Sequence, residues 1–334
     1  MTEPHPFARF VAILGRGKSL SRSLTIEEAE EAMSMIIRGE VLPEQLGAFM
    51  MLLRVNEESP EEIAGFVRAA RAALELPEKV PEVDLDWSSY AGKRRQLPWF
   101  LLSALLLARN GYRIFMHGTE GHTPGRLYTR ETLELLGFPA AGSLDEAAGH
   151  IARHKLTYVP LEVLSPRLRE LIDLRPVFGL RSPMHTLTRM INPFNAPCML
   201  QGIFHPAYMG IHQGAAVLLE QPHMAVFRGE GGEIERRPNK PCEVWTVHNA
   251  KTEVERWSPL LPEPRQGPDK EMDFNDLRAL WQGESSNDYA EASVTGTLAI
   301  ALKALGRADT MDEAQAAAQS LWQDREKDRF MEVA

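Results

Sequence analysis

The sequence predicts an α/β protein in which a small all-helical domain precedes a larger domain built on a mostly parallel sheet. Three observations predict it. Apolar residues recur at helical spacing behind clear start signals over residues 1–76. A break marked by Pro77, Pro81 and neighbouring acidic residues follows. Beyond it, over residues 77–334, short apolar segments alternate with helical ones.

In the first domain, Thr25 and Glu28 have the spacing of a capping box ahead of Ile26, Ala29, Met33, Ile36 and Ile37, and Gly39 is placed to close that helix. Leu42, Leu46, Phe49, Met50 and Leu53 repeat at helical spacing. Ser59, Pro60 and Glu62 then supply a cap, a first-turn proline and a second capping box before Ile63, Phe66, Val67 and Ala70. In the second domain the candidate strands are Tyr112–Met116, Leu156–Val159, Met224–Phe227 and Cys242–Val247. Helices are expected over Pro98–Arg109, after Ser143 and after Ser165, then over Thr295–Leu305 and Met311–Leu321. Strands separated by helices imply crossover connections, hence parallel pairing. A helical segment near 165–185 is expected to join the amino-terminal domain.

A chain of 334 residues with 44% hydrophobic content has enough apolar surface for a sizeable core. Cys198 and Cys242 are too far apart, and too few, for a disulfide framework or a structural zinc site. The longest apolar stretch, Trp99–Ala108, is about half the roughly 20 residues that cross a bilayer, and no basic segment with a long apolar run opens the chain. The expectation is a cytoplasmic protein with no membrane span. The formal charge of −9 argues against a polyanionic partner, yet it is unevenly placed: Trp87 to Lys251 carries 19 Lys and Arg against 13 Asp and Glu, leaving 18 against 33 elsewhere.

Several motifs resemble the anthranilate phosphoribosyltransferase family. They are Gly15-Arg16-Gly17-Lys18, Leu24 to Ala29, Gly39 to Gln45, Met116-His117-Gly118, Leu133 to Gly137, Arg175 to Arg181 and Asn192-Pro193. The resemblance covers nearly the whole chain. It implies that family's fold, a helical domain plus a larger α/β domain, and a homodimer. It also implies a Gly-Thr-Gly-Gly-Asp loop after the first strand, where glycine lets backbone N–H groups approach a diphosphate. Here the corresponding segment is Ser88-Ser89-Tyr90-Ala91-Gly92-Lys93-Arg94-Arg95-Gln96-Leu97-Pro98, with one glycine. The family's adjacent Asp-Glu magnesium pair has no match, which leaves Glu233 and Glu235 as the magnesium candidates. These departures, with Gly179 to Leu187 and Gly231 to Arg236, are similar to the YbiB-type paralogues, a subfamily associated with nucleic-acid binding.

No catalytic residue is assigned. Lys93, Arg94 and Arg95 in the former diphosphate loop, with Arg16, Lys18, Arg126, Arg175 and Arg181, are expected to meet phosphates. Tyr90 and Trp99 are the expected stacking faces for bases. A solvated charged turn is the plain alternative for the loop cations. The expected function is sequence-independent binding of single- or double-stranded nucleic acid by a homodimer that has lost its phosphoribosyl-diphosphate loop, with no cofactor. One alternative is a glycosyl or phosphoribosyl transferase with an altered donor or acceptor, which would use magnesium. Another is a catalytically inactive regulatory or scaffold protein.

Overall fold

A computed structural model of the chain describes residues 3–17, 19–262, 269 and 272–330. Four helices open it: α1 (Ala8–Gly15), α2 (Ile26–Ile37), α3 (Pro43–Asn56) and α4 (Pro60–Ala72). The first expected capping box forms at α2, where Thr25 Oγ1 accepts the Glu28 N–H at 3.2 Å and Glu28 Oε2 accepts the Thr25 N–H at 2.9 Å. Ser59 and Glu62 repeat it at α4 with 3.2 and 2.8 Å. A cap of this kind stabilises a helix by about 1 kcal/mol. The second Glu62 oxygen accepts the Leu24 N–H at 2.9 Å, so one carboxylate ties the start of α4 to the entry of α2. The two helices then cross at Gly65, where an added Cβ would stand 2.3 Å from the Ile26 carbonyl oxygen. Only glycine permits backbones to meet that closely.

Seven strands form one sheet: β1 (Leu85–Ser89), β2 (Ile114–Gly118), β3 (Leu156–Pro160), β4 (Cys198–Ile203), β5 (His223–Arg228), β6 (Cys242–His248) and β7 (Lys251–Trp257), in the order β3-β2-β1-β4-β5-β6-β7. Pairing is parallel from β3 to β5 and antiparallel through β6 and β7, so the sheet is mixed. The four strands read from sequence are β2, β3, β5 and β6. Of the other three, β4 is an apolar and fully buried run, Cys198-Met199-Leu200-Gln201-Gly202-Ile203, that the sequence reading passed over, while β1 and β7 lack the expected apolar signature. In β1, Asp86 and Ser88 are buried polar residues, and β7 is an edge strand whose face of Glu and Thr is exposed. Asn249 and Ala250 join β6 to β7 with φ of 48° and 66°, the left-handed pair that suits a tight hairpin.

Side chains alternate across the sheet. Phe115, Met199, Met224 and Val226 face a core shared with Phe10, Phe49 and Phe66 of the opening helices. Leu85, Trp87, Met116 and Leu200 face the opposite side, under α5 (Phe100–Arg109) and the helices Asp288–Ala304 and Met311–Gln323. Each fully buried side chain of this size contributes roughly 1.5–3 kcal/mol. The helices Pro166–Asp173 and Met184–Leu187 bury Leu168, Leu171, Ile172, Met184 and Leu187 in the core shared with the bundle, the short helix Arg175–Phe178 stays at the surface, and Arg167 Nε donates to the Ile36 carbonyl at 3.1 Å. Because β1 pairs with β2 on one side and β4 on the other, the strand order reverses there, and a crevice opens at the carboxyl ends of these strands. Among the described residues no helix is long and apolar enough to cross a membrane.

Candidate functional site

The segment after β1 turns through Gly92, whose φ is +70°. Its backbone N–H groups are not left open. Glu233 Oε1 accepts the Ala91 and Gly92 N–H groups at 2.6 and 2.5 Å, and Glu233 Oε2 accepts the Ser89 hydroxyl at 2.8 Å. The carboxylate reaches them because its own backbone is pressed against two glycines: an added Cβ would meet the Glu233 carbonyl oxygen at 2.3 Å from Gly202 and 1.6 Å from Gly229. A pair of successive N–H groups is an anion receptor, and here the chain supplies the anion itself.

The neighbouring carboxylate is also engaged. Glu235 is ion-paired with the Lys93 ammonium, and its other oxygen accepts the Phe100 N–H at 3.0 Å. Both partners are fully buried, and burial raises the Glu235 carboxyl despite the ammonium beside it. The two magnesium candidates therefore do not fit that ion. Every oxygen of Glu233 and Glu235 already faces a protein donor, and one of those donors is a cation. Among the described residues no group of three or more His, Cys, Asp or Glu is placed to hold a metal.

Beyond this closed floor lies a cleft of about 530 Å³ lined by Arg94, Arg95, Arg126, Arg228, Arg237 and Lys240, with Glu230 as the acidic member. Arg94 and Arg95 are exposed and make no ion pair among the described residues. Arg126 is half-buried, and its guanidinium donates to the carbonyls of Ala91 at 2.8 Å, Gly92 at 3.0 Å and Gly231 at 3.2 Å. It clamps the two loops together while facing the cleft.

An inner pocket of about 120 Å³ adjoins the cleft across Phe204 and Gly231 and contains Arg54, Glu58, Arg181, His185 and Arg189. Positive charge is concentrated here. Burial, reinforced by Arg189, Arg175 and Arg126, lowers the Arg181 guanidinium to about 10. Burial, then Arg181 and the other three arginines, lowers His122 to about 3, and burial takes His185 well below its ordinary value. The Nε2 atom of His185 is buried and has no hydrogen-bond partner.

Several expected site residues belong elsewhere. Lys93 is not a free phosphate ligand, because Glu235 neutralises it inside the fold and its backbone bridges Leu127 in both directions at 2.7 Å. Tyr90 is not a stacking face: it is buried, with its hydroxyl 2.8 Å from His117 Nδ1 and Arg189 over its ring. Trp99 caps α5 within the core beside Leu97 and Phe100. Arg175 donates to the His122 carbonyl and Thr123 hydroxyl, both at 2.7 Å, and so orders that turn. Arg16 is exposed after α1 and lines neither cavity, and Lys18 lies outside the described residues. The sequence reading missed Phe204 and Arg228, the first residue after β4 and the last of β5. Recognising β4 would have placed Phe204 at a strand end facing the crevice.

Residues 10–74 match the model of the glycosyl transferase family, helical bundle domain. The chain is 30% identical over 247 residues to the anthranilate phosphoribosyltransferase of Thermomicrobium roseum, covering 72% of this chain and 69% of that one. It is 27% identical over 208 residues to the uncharacterized protein YbiB of Escherichia coli, covering 61% of this chain and 65% of that one. Among solved structures, the anthranilate phosphoribosyltransferase of Thermus thermophilus superposes with a TM-score of 0.77 at 22% identity, over 96% of this chain and 94% of that one. The Saccharomyces cerevisiae enzyme in complex with PRPP and Mg gives 0.75 at 14% identity, with the same coverage.

Proposed function

The chain belongs to the anthranilate phosphoribosyltransferase family, and from that premise we propose that it uses the family scaffold to bind nucleic acid without sequence preference, having lost the loop that holds phosphoribosyl diphosphate. One observation carries this reading: the two loop N–H groups are filled by the protein's own Glu233 carboxylate, while the rim outside them is lined by six cations, four of them exposed, against one carboxylate. A small diphosphate would have to displace a buried, thrice-bonded carboxylate. A backbone of phosphates needs only the rim. The acidity of the rest of the chain confines binding to this face.

The protein acts in this reading as a cytoplasmic homodimer joined through the helical domain. Exposed Leu42, Val55, Val177 and Leu180, on or beside the helical bundle, support that contact.

The test is titration into labelled random single- and double-stranded DNA and RNA at several salt concentrations, beside an Arg94→Ala/Arg95→Ala variant. Lys93 is left intact because its loss would disturb the fold. Binding that weakens steeply with salt, and weakens further in the variant, is expected. No binding at low salt refutes the proposal. The names of the relatives and the arginine-rich inner pocket favour a second reading, a transferase with an altered donor. A rise in melting temperature with PRPP and magnesium, absent with random oligonucleotides, would decide for it.

A further inference from the structure

Phe204 is the first residue beyond β4, and 47% of it is exposed. It borders both the basic cleft and the inner pocket. Its position is held from below: an added Cβ on Gly232 would lie 3.3 Å from Phe204 Cβ and 3.4 Å from its backbone nitrogen, so the glycine turn supports the aromatic residue without a side chain that screens it. To one side the His205 ring packs edge-on at 4.9 Å between centroids, and to the other the Arg228 guanidinium stands 5.8 Å from the ring centroid.

An exposed aromatic ring is ordinary on a protein surface. This one is isolated among charges. The other exposed large apolar side chains, among the described residues, are Leu20, Leu42, Val55, Leu76, Val80, Leu135, Val177, Leu180 and Val254, and none of them lines the cleft. A surface for docking a protein would present a contiguous apolar patch. A single ring with a guanidinium beside it, at the border of a cleft lined by further cations, is instead the arrangement that holds an unpaired base, with the ring stacking against its face and the cations following its phosphates.

Resting on the nucleic-acid reading above, we infer that Phe204 is a stacking platform for an unpaired base, so that the cleft takes single-stranded in preference to duplex nucleic acid. The bases of a duplex are already stacked on each other and offer no face to the ring. Stacking is tolerant of sequence because every base has a π-face, which agrees with a binder that does not read base edges.

The probes are fluorescently labelled oligo(dT), an abasic strand of the same length with the same phosphates, and a duplex, each titrated by fluorescence polarisation. Wild-type protein should bind oligo(dT) more tightly than the abasic strand by roughly 5- to 150-fold, the effect of stacking about one base. Phe204→Ala should abolish most of that ratio and leave abasic and duplex affinities unchanged. Phe204→Trp should retain it, and Arg94→Ala/Arg95→Ala should weaken all three probes while preserving the ratio. Binding that persists in Phe204→Ala with the oligo(dT)-to-abasic ratio unchanged overturns the stacking role and leaves the nucleic-acid reading standing. Absence of binding to every probe at low salt overturns both.

Discussion

Replacing Glu233 tests whether the loop after β1 is held by an internal anion. The carboxylate accepts three hydrogen bonds at 2.5 to 2.8 Å and is buried. A hydrogen bond to a charged group contributes about 1.5–3 kcal/mol, and a buried donor left without a partner costs about 1–3 kcal/mol. Glu233→Ala strands the Ala91 and Gly92 N–H groups, whereas Ser89 keeps its contact with the Thr129 hydroxyl at 2.6 Å. The expected loss is therefore about 3–5 kcal/mol. With an unfolding entropy near 2.1 cal/mol/K per residue, the 334-residue chain should melt about 4–7 °C lower. Glu233→Gln keeps the shape and an oxygen toward both N–H groups, so it should lose only the charge assistance and melt about 2 °C lower. Differential scanning fluorimetry reads both shifts. Inorganic pyrophosphate should then raise the melting temperature of Glu233→Ala more than that of the wild type, since the vacated N–H pair is again an anion receptor. Equal shifts for alanine and glutamine, or no gain with pyrophosphate, would refute the idea that this carboxylate stands in for a bound anion.

Lys93→Met should destabilise by about 3–5 kcal/mol in a denaturant titration by leaving Glu235 charged and unpaired, and adding Glu235→Gln should recover most of it. Gly65→Ala should destabilise by about 1–3 kcal/mol because its Cβ would stand 2.3 Å from the Ile26 carbonyl oxygen; a variant as stable as the wild type would contradict the close helix crossing. Stability should fall as pH drops below about 6.5, since His122 and His212, each lowered to about 3 mainly by burial, stay neutral in the fold while the unfolded chain protonates. The carboxyls of Glu58 and Glu62, raised mainly by burial, act in the opposite sense, stabilising as pH falls through their folded values. His122→Gln should therefore flatten the decline in melting temperature between pH 7 and 5. If Arg94 and Arg95 meet phosphates, removing both should reduce the salt slope on a single strand by about 1.4.

Helix starts were the most legible part of the sequence, because Thr25 with Glu28 and Ser59 with Glu62 advertise their own hydrogen bonds locally. Strands β2, β3, β5 and β6 were legible because they carry continuous or alternating apolar runs. Strand β1 was not, since its inward Asp86 sits in a buried chain with His117 and Tyr90 that only the assembled sheet creates. The same limit governs the site. Arg94, Arg95 and Arg126 could be placed near the crevice from the resemblance to the family's diphosphate loop and from the recognised strand β2, but the sequence could not say which neighbour of Arg94 turns inward. Lys93 and Glu235 are 142 residues apart, and nothing local pairs them. Tyr90 and Trp99 read as stacking faces because aromatic residues beside cations do so in general, whereas here strand alternation and helix entry direct both into the core.

The Glu233 contacts that floor the cleft join residues 141 and 142 positions apart, across four strands and their crossovers. Contacts of such separation bring little reward until the intervening chain is already ordered, because the loop must be closed first. The cleft should accordingly be among the last features to mature when the protein refolds from denaturant. A refolding intermediate with native helix content would still show an unfilled pair of amides and an ungathered rim. In stopped-flow refolding, recovery of oligonucleotide binding should lag behind recovery of far-ultraviolet circular dichroism.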